Sequence, residues 1–86
     1  MTVTVKGKTF PVKWMWLLES TGELLLEYPE KRSMMDILAD WENADVMERQ
    51  SESEGDITYQ GYTKVQRIVR NKVNGTELVQ IAFVKG

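Results

Sequence analysis

The chain has 86 residues, 42% of them apolar and 28% charged, with a formal net charge of −2, which bounds it to one domain with a modest core. It contains neither cysteine nor histidine, and this excludes disulfides, thiolate nucleophiles, Cys/His zinc sites and imidazole acid–base chemistry. No apolar run is long enough for a membrane span and no basic-then-apolar signal segment opens the chain, so a non-secreted, non-membrane protein is expected.

Thr2 to Val12 reads as a tight hairpin. Lys6-Gly7 supplies a two-residue turn, and pairing Val5 with Lys8 and Val3 with Phe10 puts Val3, Val5, Phe10 and Val12 on one face. Pro11 cannot donate a ladder bond, so the second strand is an edge or stops there. A second hairpin follows, with strands near Lys13–Glu19 and Glu23–Tyr28 around the loop signal Ser20-Thr21-Gly22. Trp14 and Trp16 carry much of the apolar area there. Core packing is their expected role, with an aromatic contact surface as the other reading.

Pro29 ends that strand. Ser33 with Asp36 three residues on is a capping-box variant, and a carboxylate in the first turn suits the helix dipole. Met34, Ile37, Leu38 and Trp41 fall at i, i+3, i+4 and i+7, one stripe of a short amphipathic helix over about 34–43, and Asn43 is a left-handed stop. Asp40 and Glu42 lie off the stripe. Another short strand is expected around Val46–Arg49, then a polar loop at Glu52-Ser-Glu-Gly-Asp56.

From Ile57 onward the chain is dense in β-branched and aromatic residues, and Asn74-Gly75 is a strong hairpin signal. The loop length decides the register, because a one-residue slip sends an apolar set to the wrong face. A three-residue loop, Val73-Asn74-Gly75, places Phe83 opposite Val65 and Val79 opposite Val69. It gathers Val65, Val69, Val79, Ile81 and Phe83 on one face, with Arg67 as a misfit that snorkels to the edge. Gly61 marks a bulge or a close backbone approach. The fold class expected is therefore α+β: mainly antiparallel hairpins over 2–13, 13–28 and 57–85, one helix packed on the sheet, and residues 1–86 as a single domain.

Charge is uneven along the chain. Asp40, Glu42, Asp45, Glu48, Glu52, Glu54 and Asp56 form an acidic middle, with Arg49 as the one cation among them, whereas the end is basic. Internal neutralisation is one reading and an acidic partner-binding surface is the other. Tyr62, Lys64, Arg70 and Lys72 form a second candidate, a basic and aromatic strand face that stacks bases and contacts phosphates; a plain solvated face is the competing reading. The carboxylates lack calcium-loop spacing and no pair stands out for glycoside hydrolysis. Neither a phosphate-binding loop nor a nucleophile elbow is present. The expectation is no catalytic residue, no metal and no cofactor.

Three segments resemble small tail-region proteins of phages and prophages of Firmicutes: Met1-Thr-Val-Thr-Val-Lys-Gly-Lys-Thr-Phe10, Glu30-Lys-Arg-Ser-Met-Met-Asp-Ile-Leu-Ala-Asp-Trp-Glu-Asn-Ala44, and Ile57-Thr-Tyr-Gln-Gly-Tyr-Thr-Lys-Val65 with Leu78-Val-Gln-Ile-Ala-Phe-Val-Lys85. The resemblance spans most of the chain and its motifs are structural. It implies a small protein that works by binding, in the host cytoplasm or in the virion. A tail or assembly component, docking on other tail proteins through edge strands and able to form homo-oligomers, is the leading expectation. An inhibitor of a host defence protein acting through the acidic 40–56 surface is the alternative. A nucleic-acid-binding β-domain comes third, against the acidic balance of the chain.

Overall fold

The computed structural model describes residues 1–86. Its elements in chain order are β1 (Thr2–Val5), β2 (Lys8–Pro11), β3 (Trp14–Leu18), β4 (Glu23–Pro29), α1 (Met34–Trp41), β5 (Val46–Gln50), β6 (Ile57–Gln60), β7 (Lys64–Val73) and β8 (Thr76–Val84). They form two four-stranded antiparallel sheets, ordered β2-β1-β5-β6 and β3-β4-β8-β7. The structure is α+β with one short helix, as the sequence indicates.

Two strands pass from one sheet to the other. β2 runs into β3 through Val12 and Lys13, and β6 runs into β7 through Gly61, Tyr62 and Thr63. The pairings therefore close a ring, β1 to β2/β3, β4, β8, β7/β6, β5 and back to β1. Such corners are how strands serve two crossed sheets. Each chain end is tied to one corner: Met1 O accepts from Val12 N at 3.0 Å, and Gly86 N donates to Gly61 O at 3.2 Å. Gly61 sits at the second corner with φ +88°, a backbone state that a side chain would strain. It is a corner residue, not a bulge, and residues 57–60 leave the expected C-terminal hairpin to pair with β5.

The first two hairpins keep the expected registers, including Val3 with Phe10 and Val5 with Lys8. The last one differs. Asn74 and Gly75 form a two-residue turn, with φ of 50° and 80°, and Val73 pairs with Thr76. Positive φ at both central residues is the hairpin turn whose twist matches the strands. Arg70, not Val69, therefore faces Val79. A bulge at Gln66 then restores Val65 opposite Phe83. The result turns Ile68 inward, points Arg67 outward and leaves Val69 46% exposed.

The core lies between the sheets. Val3, Val5, Met47 and Tyr59 from one side meet Met15, Leu24, Leu26, Tyr28, Val79, Ile81 and Phe83 from the other, and Ile37 and Trp41 of α1 close it. Trp41 is fully buried among Phe10, Tyr28 and Phe83, and its indole N–H donates to Tyr28 Oη at 2.8 Å. Burial pushes the Tyr28 phenol up to about 12, with the indole bond pulling the other way.

α1 starts as expected, with Ser33 Oγ accepting from Asp36 N at 3.3 Å. It ends at Trp41, and Asn43 takes the left-handed conformation at φ 59°. Its last turn carries no basic residue of its own; Lys6 from the first hairpin donates to the carbonyls of Ala39 and Glu42. The buried side is Ile37, Asp40 and Trp41, while Met34 and Leu38 are only half covered.

Candidate functional site

The expected acidic surface loses its first member. Asp40 is 5% exposed, because the helix is rotated to bury it beside the β1–β2 hairpin and the β4–α1 loop. Lys8 Nζ reaches its Oδ1 at 3.1 Å and Arg32 pairs with its Oδ2. Arg32 also holds Glu30 at 2.7 Å. The other six carboxylates stay on the outside, and of these only Glu54 meets a cation, Arg49 at 3.7 Å. None of the ion pairs joins the acidic middle to the basic end, so internal neutralisation does not account for the charge pattern.

Burial pushes the Asp40 carboxyl up, but Arg32 and Lys8 outweigh it and hold the group below the usual carboxylate range. Glu30 is lowered chiefly by its bond to Arg32. Both folded-state values lie below the unfolded ones. Their contribution is therefore complete above about pH 4 and is lost as pH falls through the folded values. Urea midpoints measured from neutral pH into acid will fall along this limb, and Asp40→Asn will flatten it. An acid limb unchanged by Asp40→Asn would sink the assignment.

The expected basic and aromatic strand face does not assemble. Tyr62 is in the second corner, packed on the core edge-on to Tyr59 at 6.4 Å, with Lys85 Nζ 5.6 Å above its ring. The bulge and the two-residue turn put Lys64 on one face of β7 and Arg70 and Lys72 on the other. Arg70 is engaged with the approach to α1, donating to Arg32 O at 2.7 Å.

Strand addition at the open edges is also obstructed. Arg49, on the inner face of β5 and 6% exposed, reaches across to Met15 O at 3.4 Å on the open side of β3 and to Gly55 O at 3.3 Å. The 51–55 loop is thereby held against that edge. β7 carries a bulge and the cations Lys64, Arg67, Arg70 and Lys72, features that discourage pairing.

What the fold leaves open is the outer face of the β3-β4-β8-β7 sheet. Two cross-strand rows are read from the register. One is Trp16, Leu25, Ala82 and Arg67; the next is Trp14, Glu27, Gln80 and Val69. Trp14 and Trp16 do not pack in the core as expected. Met15 and Leu17 take the inner positions of β3, which sends both indoles outward. They stack at 4.8 Å with 18° between planes, and Trp16 is 52% exposed. Ala82 floors a shallow cavity of about 80 Å3 walled by Trp14, Leu25, Val69, Gln80 and Arg67. Arg67 reaches back over the face to Glu23 at 3.1 Å, and Gln80 donates to Glu27 at 2.8 Å. The period-2 alternation of Trp14-Met15-Trp16-Leu17 carries this signal, once Met15 and Leu17 are paired with Leu26 and Leu24.

No group of three carboxylates comes together as a metal cage, and no helix is long and apolar enough to cross a membrane. No protein family matches the chain, and no characterised protein or solved structure is similar to it.

Proposed function

We propose that the chain is a non-enzymatic binding module that recognises a protein through the outer face of its β3-β4-β8-β7 sheet. One observation carries the reading: a stacked tryptophan pair on a solvent-facing sheet, beside a small cavity and ringed by Glu23, Glu27, Gln80 and Arg67. An apolar centre within a polar rim is the composition of protein interfaces, and tryptophan is prominent among residues that dominate their energy. The resemblance of three segments to phage and prophage tail-region proteins supports a role as a small tail or assembly component. The six outward carboxylates at Glu42, Asp45, Glu48, Glu52, Glu54 and Asp56 support a second reading, inhibition of a defence protein through an acidic surface.

Affinity capture with the tagged chain, from cells expressing the genes that flank its own, separates the two. Under the first reading a captured protein is lost with Trp16→Lys and kept when Glu52, Glu54 and Asp56 are changed to lysine. The reverse pattern favours the acidic surface. A captured set identical for all three chains would overturn both.

A further inference from the structure

We infer that the tryptophan face is self-complementary and that its first occupant is a second copy of this chain; the inference rests on that face being the binding surface. The argument comes from how the rows are ordered. Along one row lie Trp16, Leu25, Ala82 and Arg67, that is aromatic, large, small, cationic. A two-fold axis along the strands, between β4 and β8, reverses that order on the facing copy. Trp16 then lies over the second copy's Arg67, and Leu25 lies over the cavity floored by its Ala82. In the next row Trp14 meets Val69, and Glu27 meets Gln80. Every contact in the two rows is complementary in size or in charge, and each occurs twice, as a closed two-fold interface requires.

Charge agrees with shape. The β3–β4 half of the face carries Glu23 and Glu27 and no cation, whereas β7 carries Lys64 and Arg67 and no acid. The same axis sets each acidic half over a basic half. A guanidinium over an indole adds a cation–π contact. Facing the other way, with the axis across the strands, Trp16 would meet Trp16 and Arg67 would meet Arg67, and the like charges would oppose each other.

The face is small. Four strands about 4.8 Å apart and nine residues of about 3.4 Å give roughly 600 Å2 per copy, below the roughly 800 Å2 of a standard interface. The association is therefore concentration-dependent, with a dissociation constant on the order of 10–100 μM.

Sedimentation equilibrium from low micromolar to about 1 mM tests this, with Trp16 emission as a second readout. The expected result is a mass rising from one chain's 10.0 kDa toward twice that, with a blue shift of the emission. Trp16→Lys, which sets two like charges together at each contact, is expected to weaken the dimer at least about 30-fold. Ala82→Leu, which fills the cavity, is expected to weaken it as well. Trp16→Lys combined with Arg67→Glu is expected to recover dimerisation, which a merely misfolded variant would not do. A single-chain mass at every concentration, or a dimer indifferent to Trp16→Lys, overturns the proposal. If the chain stays single yet captures a protein through Trp16, self-association falls and the binding reading stands. If Trp16→Lys changes neither mass nor capture, both fall.

Discussion

Replacing Trp41 by alanine will remove about 3–5 kcal/mol of stability, a large part of the roughly 5–15 kcal/mol that holds a domain together. The indole is fully buried where the helix meets both sheets, with ring centroids of Phe10, Tyr28 and Phe83 at 5.2, 5.6 and 5.6 Å. Removing it leaves a cavity lined by rigid rings that cannot collapse into it. The Tyr28 hydroxyl also loses its donor at 2.8 Å. An eight-residue helix does not stand alone in water, so α1 depends on this anchor. Trp41→Phe separates the two effects, since it keeps a ring and drops the N–H, and about 1–3 kcal/mol is expected. Urea unfolding followed by circular dichroism measures both variants. A loss below about 1 kcal/mol for Trp41→Ala would contradict the anchoring role.

Two single-residue deletions in β7 will have opposite outcomes. Without Gln66, Arg67 still faces Ala82 and Val65 still faces Phe83, because the bulge is simply removed. That variant is expected to stay within about 1 kcal/mol of the parent. Without Asn71 the strand must slip. Arg70 moves opposite Leu78, Val69 opposite Val79, Ile68 opposite Gln80 and Arg67 opposite Ile81. That turns Ile68 to solvent and drives a guanidinium into the core, at a cost of about 3 kcal/mol or more. Thermal melts of the two variants decide the matter. Equal melting temperatures would mean that the register is not what places Arg67 outside.

The same competition explains why one hairpin was misread from its residues while two were not. In Thr2–Val12 the turn and the apolar alternation agree, and one register satisfies both. In β7 they conflict: Asn74-Gly75 favours a two-residue turn, whereas Val65 and Val69 alternate as if the loop had three. The chain keeps the preferred turn and repairs the alternation with Gln66, exchanging Val69 for Ile68 on the inner face. A bulge is settled by the partner strand, and a single strand does not carry that information. The cap at Ser33 and the stop at Asn43 were legible because they are local. Asp40 was not, because its partners Lys8 and Arg32 come from elements brought to it by the fold. The tryptophan face was half legible. The alternation was present in Trp14 to Leu17, but large apolar residues there suggest burial until the Leu24 and Leu26 partners fix which pair points in.

The place of β8 in the ring has a consequence for how the protein is made. This strand lies between β4 and β7 and is the last element of the chain, so it is also the last to leave the ribosome. Until it is released, the sheet that bears the tryptophans consists of one hairpin and a stray strand, each with an unpaired flank. The stacked indoles and the apolar inner residues are exposed together in that interval. Folding therefore follows synthesis instead of accompanying it, and a product cut short before Thr76 presents an adhesive surface with nothing to cover it.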